Sequence, residues 1–245
     1  MRVVLAHGFT QTARSWATFT TLLRAATPDV ETVAVDLPGH GDSDASPDAD
    51  LWASADQLVA RGGPGTYVGY SMGGRVALHA ALTQPDEVRA LVLIGATAGI
   101  DDPAERQARR DADDRLAGHI ESVGVPTFID EWLANPLFAG LTEATAQRAD
   151  RLRNTAAGLS ASLRATGTGT QTPLWDRLGE IECPVLVLVG ERDEKFTELG
   201  QRLVDGIIDA ELVVVPDAGH SVHLERPEAT VAAIGAWLAT APGRW

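Results

Sequence analysis

Short uninterrupted apolar runs alternate with longer stretches of helical periodicity over the first hundred positions. Val3 to His7 is such a run, closed by Gly8, and Thr32 to Asp36, Thr66-Tyr67-Val68 and Ala90 to Ile94 repeat the pattern, the last ended by Gly95. Between them, Trp16 to Ala26 reads as a helix with Ser15 as its N-cap. Leu51 to Ala60 is a second helix, broken by Arg61-Gly62-Gly63-Pro64-Gly65, and Arg75 to Leu82 is a third. A strand buried on both faces is apolar throughout, whereas a one-sided strand alternates. Strands of this kind alternating with helices predict an α/β protein. Its mostly parallel sheet is covered on both faces, and its ligands sit at the C-terminal strand ends. No strand is expected before Val3, which gives a sheet of about six strands.

The alternation stops near Ile100. Pro103 to Ala117 reads as a charged helix and Thr127 to Leu133 as a shorter one, ended by Asn135-Pro136. Thr142 to Asn154 and Leu159 to Ala165 follow. This stretch carries Arg106, Arg109, Arg110, Arg115, Arg148, Arg151, Arg153 and Arg164. The α/β rhythm resumes with a strand at Val185 to Val189, a helix from Thr197 to Ile207, a strand at Leu212 to Val215 and a helix from Pro227 to Ala239. The expected organisation is one α/β core, residues 1–99 and 174–245, with a helical lid inserted at 100–173.

Composition narrows the partners. A net charge of −14 over 245 residues disfavours nucleic acid and anionic membrane surfaces. Cys183 is the only cysteine, so there is no disulfide framework or thiolate metal site, and its place at a strand start reads as core packing. No His, Asp or Glu cluster has metal-ligand spacing, and no glycine-rich loop matches a nucleotide fingerprint. The run Val3 to Ala6 is too short for a signal peptide and no long apolar segment follows, so a cytoplasmic protein, monomer or homodimer, is expected. The acidic stretch 42–50 reads as a solvated loop.

The chemistry centres on Gly69-Tyr70-Ser71-Met72-Gly73, between the third strand and its helix. Such a turn forces the serine into strained geometry and exposes it above the sheet, and glycines permit the tight bend. A serine hydroxyl needs a proton acceptor, and that acceptor is a histidine held by a carboxylate. In sheets of this kind the chain order is serine, acid, histidine. Asp193 lies just past one late strand and His220 just past the next. Glu191 and Asp217 are rival acids and His223 a rival histidine. His7 and His40 are assigned to bracing loops, and His79 is a packed or surface residue. The backbone N–H groups of Met72 and Phe9 are the expected oxyanion donors.

These residues make the chain resemble the α/β-hydrolases over nearly its whole length. The stretches that carry it are His7-Gly8-Phe9, Asp36-Leu37-Pro38-Gly39-His40-Gly41, Gly69 to Arg75, Gly190-Glu191-Arg192-Asp193 and Gly219-His220. The lid is similar to that of the 2-succinyl-6-hydroxy-2,4-cyclohexadiene-1-carboxylate synthases of menaquinone biosynthesis (the MenH family). Here the matching stretches are Glu105 to Arg109, Trp132 to Phe138, Leu152-Arg153-Asn154 and Gly190 to Phe196. The resemblance implies a lyase that needs no cofactor and eliminates pyruvate from a small polycarboxylate, 2-succinyl-5-enolpyruvyl-6-hydroxy-3-cyclohexene-1-carboxylate. It also implies that Arg75, Arg109 and Arg153 meet substrate carboxylates and that Tyr70 and Trp132 line the site, although Trp132 could instead anchor the lid. Two other readings are a serine carboxylesterase or C–C bond hydrolase with Ser71 as nucleophile, and a binding protein of hydrolase fold.

Overall fold

The computed structural model describes residues 1–44 and 49–240, so part of the acidic stretch 42–50 lies outside the described residues. Its strands are β1 (Arg2–Ala6), β2 (Glu31–Val35), β3 (Gly65–Tyr70), β4 (Val88–Ile94), β5 (Val185–Gly190) and β6 (Ala210–Val215). They form one sheet in the order β2-β1-β3-β4-β5-β6, with every neighbouring pair parallel. Strand order reverses at the crevice between β1 and β3, where a sheet of this kind binds its ligands.

Alternation of side chains along the central strands builds two cores. Val4, Ala6, Tyr67, Leu91, Leu93 and Val187 face one side, against α2 (Leu51–Gly62), α3 (Met72–Thr83) and α7 (Glu194–Gly206). Val3, Leu5, Val68, Val92, Ile94 and Leu188 face the other, against α1 (Ala17–Ala26) and α9 (Pro227–Thr240). Buried on both faces, these strands carry no polar alternation, which is why they were readable as continuous apolar runs. The edge strands β2 and β6 are half-exposed.

Between β4 and β5 the described residues hold no strand. α4 (Pro103–Leu133) breaks at Gly124, whose φ of 76° and ψ of 165° separate a long charged arm from a short second half. Pro126 falls in the first turn of that second half, where its missing N–H costs no helical bond. α5 (Arg148–Arg151) is a single turn, so the helix expected over 142–154 is mostly irregular chain. α6 (Ala156–Thr166) follows, and α8 (Val222–Glu225) lies between β6 and α9. Ala117, Ile120, Phe128, Ile129, Leu159 and Leu163 form a third, separate apolar cluster inside this β4–β5 segment. Ser15 does not cap α1: Thr12 caps a 3-10 turn at Ala13–Trp16 that leads into it. Among the described residues no helix is long and apolar enough to cross a membrane.

Four buried histidines make stability sensitive to acid. Burial lowers the pKa of His7, and takes His40 and His223 to about 3 and His79 to about 4. An unfolded histidine titrates near 6.5. Below that pH the unfolded chain binds protons that the folded chain refuses, so stability falls as pH falls from about 6.5 toward these folded values. Each such group adds a slope of up to about 1.4 kcal/mol per pH unit. Scanning calorimetry between pH 7 and 5 should give a falling melting temperature, and His40→Asn should flatten that fall.

Candidate active site

Ser71 stands between β3 and α3 with φ 51° and ψ −108°, a conformation that costs a non-glycine residue energy and persists only where surrounding packing enforces it. The packing does so at two glycines. A Cβ at Gly69 would lie 2.5 Å from the Gly73 carbonyl oxygen, and one at Gly73 would overlap the carbonyls of Ala6 and His7. The amide of Ser71 donates to the Ile94 carbonyl at 2.8 Å, which ties the turn to β4.

His220, in the loop after β6, brings its Nδ1 to 2.7 Å from Oδ2 of Asp193, in the loop after β5. Its Nε2 lies 3.4 Å from Ser71 Oγ. With Nδ1–H donating to the carboxylate, the Nε2 lone pair faces the hydroxyl. Asp193 and His220 are both buried, and Asp193 Oδ1 also accepts from the Phe196 amide at the start of α7. The rivals are occupied elsewhere. Exposed Glu191 accepts from the Asp217 amide, and Asp217 pairs with Arg192 at 2.6 Å. His223 is packed between Trp16 and Tyr70, at ring separations of 4.5 and 4.4 Å.

The loop after β1 approaches the same point. His7 Nε2 accepts from the Leu37 amide, leaving Nδ1–H to donate to the Gly8 carbonyl, and His40 Nε2 accepts from the Thr10 amide. Both histidines therefore brace loops. The Phe9 amide finds no protein acceptor among the described residues. Met72 is the first residue of α3, a position whose amide has no intrahelical partner. Phe9 and Met72 both border the cavity in front of Ser71.

That cavity has a volume of about 220 Å³. Ser71, His220, Phe9 and Tyr70 form its floor, and Leu116, Trp132, Leu137, Phe138 and Leu163 of the β4–β5 segment close it above. Tyr70 is buried, shares a hydrogen bond with Ser221 Oγ at 2.7 Å, and has its phenol pKa raised by burial. Trp132 packs edge-on against Phe9 at 5.4 Å, and its buried indole N–H has no protein partner among the described residues. Trp132 thus lines the cavity and anchors the β4–β5 segment at once.

Four cations reach this cavity: Arg75, Arg109, Arg151 and Lys195. No Asp or Glu is among the described residues that line it. Arg75 is buried and donates to the Thr166 carbonyl at 2.7 Å and to Gln171 Oε1 at 3.4 Å. Burial first, and the neighbouring Arg109 second, lower its pKa to about 10. Half-exposed Arg109 pairs with Asp113 at 2.8 Å.

Arg153, expected to meet substrate, does not reach the cavity. Its guanidinium pairs with Asp42 at 3.2 Å on the exposed side of the molecule. Arg151 stands in its place, fully buried, with Nε donating to the Ala146 carbonyl and Nη1 to Thr10 Oγ1. The reason is helical phase: residues two apart on a turn point to opposite sides. Asp150 of the same turn binds the Thr12 hydroxyl at 2.7 Å and sets which side faces inward. Lys195 and Thr97 also went unassigned in the sequence, although Lys195 is the only lysine.

A parallel sheet with serine, histidine and carboxylate converging from three strand ends defines an α/β-hydrolase site. The chain belongs to the alpha/beta hydrolase family, whose model matches residues 3–233. Within that family its relatives include 2-succinyl-6-hydroxy-2,4-cyclohexadiene-1-carboxylate synthases. The enzyme of that name from Enterobacter sp. (strain 638) is 34% identical, over 95% of this chain and 89% of that protein. A Bacillus subtilis (strain 168) protein given the same name provisionally is 38% identical, over 92% of this chain and 85% of its own length. MenH from S. aureus superposes with a TM-score of 0.87 at 30% identity, covering 98% of this chain and 94% of that one. A thermophilic esterase from Thermogutta terrifontis superposes at 0.82 with 28% identity, covering 98% and 90%.

Proposed function

We propose that this protein is a 2-succinyl-6-hydroxy-2,4-cyclohexadiene-1-carboxylate synthase of menaquinone biosynthesis. It eliminates pyruvate from 2-succinyl-5-enolpyruvyl-6-hydroxy-3-cyclohexene-1-carboxylate and works in the cytoplasm. The observation that carries the reading is the charge of the cavity. Among the described residues, four cations and no carboxylate line the cavity in front of Ser71, in a chain of net charge −14. Such a site reverses a repulsive field locally and suits a small polycarboxylate.

Ser71 Oγ takes the ring proton α to the succinyl ketone and passes its own proton to His220 Nε2, with Asp193 stabilising the imidazolium. The electron pair left on the ring delocalises onto the ketone oxygen, where the Phe9 and Met72 amides receive it. Collapse of that enolate breaks the ring carbon–oxygen bond to the enolpyruvyl group. Enolpyruvate leaves, regains a proton and becomes pyruvate. Residues 100–173 act as a lid that carries Arg109, Arg151 and Trp132 over the reacting carbons.

The Ser71–His220 pair and the likeness to the Thermogutta terrifontis esterase favour a second reading, hydrolysis with Ser71 as nucleophile. One assay separates them. Pyruvate release from freshly made substrate, measured against its spontaneous decay, should be fast, while a neutral p-nitrophenyl ester turns over feebly. Ester turnover with no acceleration of pyruvate release would sink the lyase reading.

A further inference from the structure

We propose that Glu225 is a positioning residue for His220 and that the β4–β5 segment bears on the same carboxylate. His220 sits in a loop whose side-chain anchors are Asp193 and Ser71. Its backbone has an anchor of another kind. The Gly219 amide donates to Glu225 Oε2 at 2.7 Å, and the Ser221 amide donates to Oε1 at 3.0 Å. One side chain thus grips the amides on both sides of the histidine. A carboxylate suits this task because it offers two acceptor oxygens and makes hydrogen bonds stronger than neutral ones.

The carboxylate is also touched from outside the loop. A Cβ at Gly140 would overlap Glu225 Oε2, so the backbone there lies directly against it. Gly140 follows the 3-10 turn Pro136–Phe138, whose Leu137 and Phe138 border the catalytic cavity. Leu137, Gly140, His220 and Glu225 share a second, adjacent cavity. One short piece of chain therefore touches the substrate space at one end and the histidine clamp at the other.

The distance from His220 Nε2 to Ser71 Oγ is 3.4 Å, just beyond the reach of about 2.6–3.2 Å that proton transfer uses. The placement of the loop sets this distance, and Glu225 holds the loop by the amides on both sides of the histidine. The inference rests on His220 being the proton acceptor.

Glu225→Gln tests it, because the glutamine keeps the shape but replaces one acceptor oxygen with an NH₂ group. The kcat for pyruvate release should fall about tenfold or more, with KM within twofold of the parent. The low-field proton resonance of the His220–Asp193 hydrogen bond should move or broaden. Gly140→Ala leaves Glu225 in place but displaces its carboxylate, and should act in the same direction. An unchanged kcat and resonance in the folded Glu225→Gln protein would overturn the proposal, as would a loss of kcat that merely tracks the unfolded fraction by circular dichroism. If Glu225→Gln does not fold, Gly140→Ala decides on the same two readouts. The resonance needs no substrate, so it reports on Glu225 even if the parent releases no pyruvate.

Discussion

Ser71→Ala should slow pyruvate release by about 10²–10⁴-fold, the range that a positioned proton-transfer group contributes. Its melting temperature should stay within a few degrees of the parent. The fold should survive because alanine meets the same backbone constraint at φ 51° and removes only an oxygen at the cavity floor. Acceleration above spontaneous decay should remain, since the Phe9 and Met72 amides and the four cations are untouched. Hydrolysis of a p-nitrophenyl ester should fall as well, so the ratio of the two rates matters less than the covalent state. Mass spectrometry of the parent caught during pyruvate release should find no acyl-enzyme, because in the proposed mechanism Ser71 exchanges only a proton. A rate in the alanine protein within tenfold of the parent would remove Ser71 from the proton path.

The second large effect is expected at Arg75. Its guanidinium is buried and, among the described residues, has the Thr166 carbonyl at 2.7 Å as its one close acceptor, with Gln171 at 3.4 Å. Arg109 beside it depresses its pKa further, so the cavity holds a cation without full compensation. In the proposed function an incoming carboxylate supplies what is missing. Arg75→Met should therefore lower kcat/KM by roughly 30- to 150-fold, equivalent to about 2–3 kcal/mol for a charge-assisted hydrogen bond. Stability should hold or rise, because replacing a poorly paired buried charge with an apolar side chain of similar length removes a desolvation cost. Arg75→Lys should recover little, since a point charge lacks the two-pronged geometry that matches a carboxylate. Succinate should raise the melting temperature of the parent and leave that of Arg75→Met unmoved. Equal protection of both would detach Arg75 from anion binding.

What could be read from the chain and what could not divides on a physical line. Ser71, Asp193 and His220 each follow a strand by a few residues. A parallel sheet gathers the C-terminal ends of its strands along one edge, so local sequence already implied their meeting. The six strands were legible because the central ones are buried on both faces and carry few polar residues to blur the pattern. The arginines were not legible to the same degree. Arg151 and Arg153 differ by two positions on one turn, and their directions depend on where that turn begins, which Asp150 fixes through a bond to Thr12 across 138 residues. The helix expected over 142–154 carried no phase information because only four residues of it are helical. Lys195 was visible as a letter in a motif, but its exposure to the cavity follows from α7 starting at Glu194, beside the aspartate that caps it. Glu225 escaped for another reason: its partners are backbone amides, which every sequence possesses.

In the proposed mechanism the bond-breaking atoms and the substrate-holding atoms come largely from separate tracts of the chain. Ser71, Asp193 and His220 belong to sheet loops, while Arg109, Trp132 and Arg151 belong to the tract between β4 and β5, which has its own apolar cluster. Mutations in that tract can accumulate, and change which molecule is held, without passing through a form that has lost its reactive trio. A gene with this arrangement can wander toward a new metabolite in small viable steps. Two of the four cations lie outside that tract: Arg75, carried by the helix that begins at Met72, next to Ser71, and Lys195, at the start of α7.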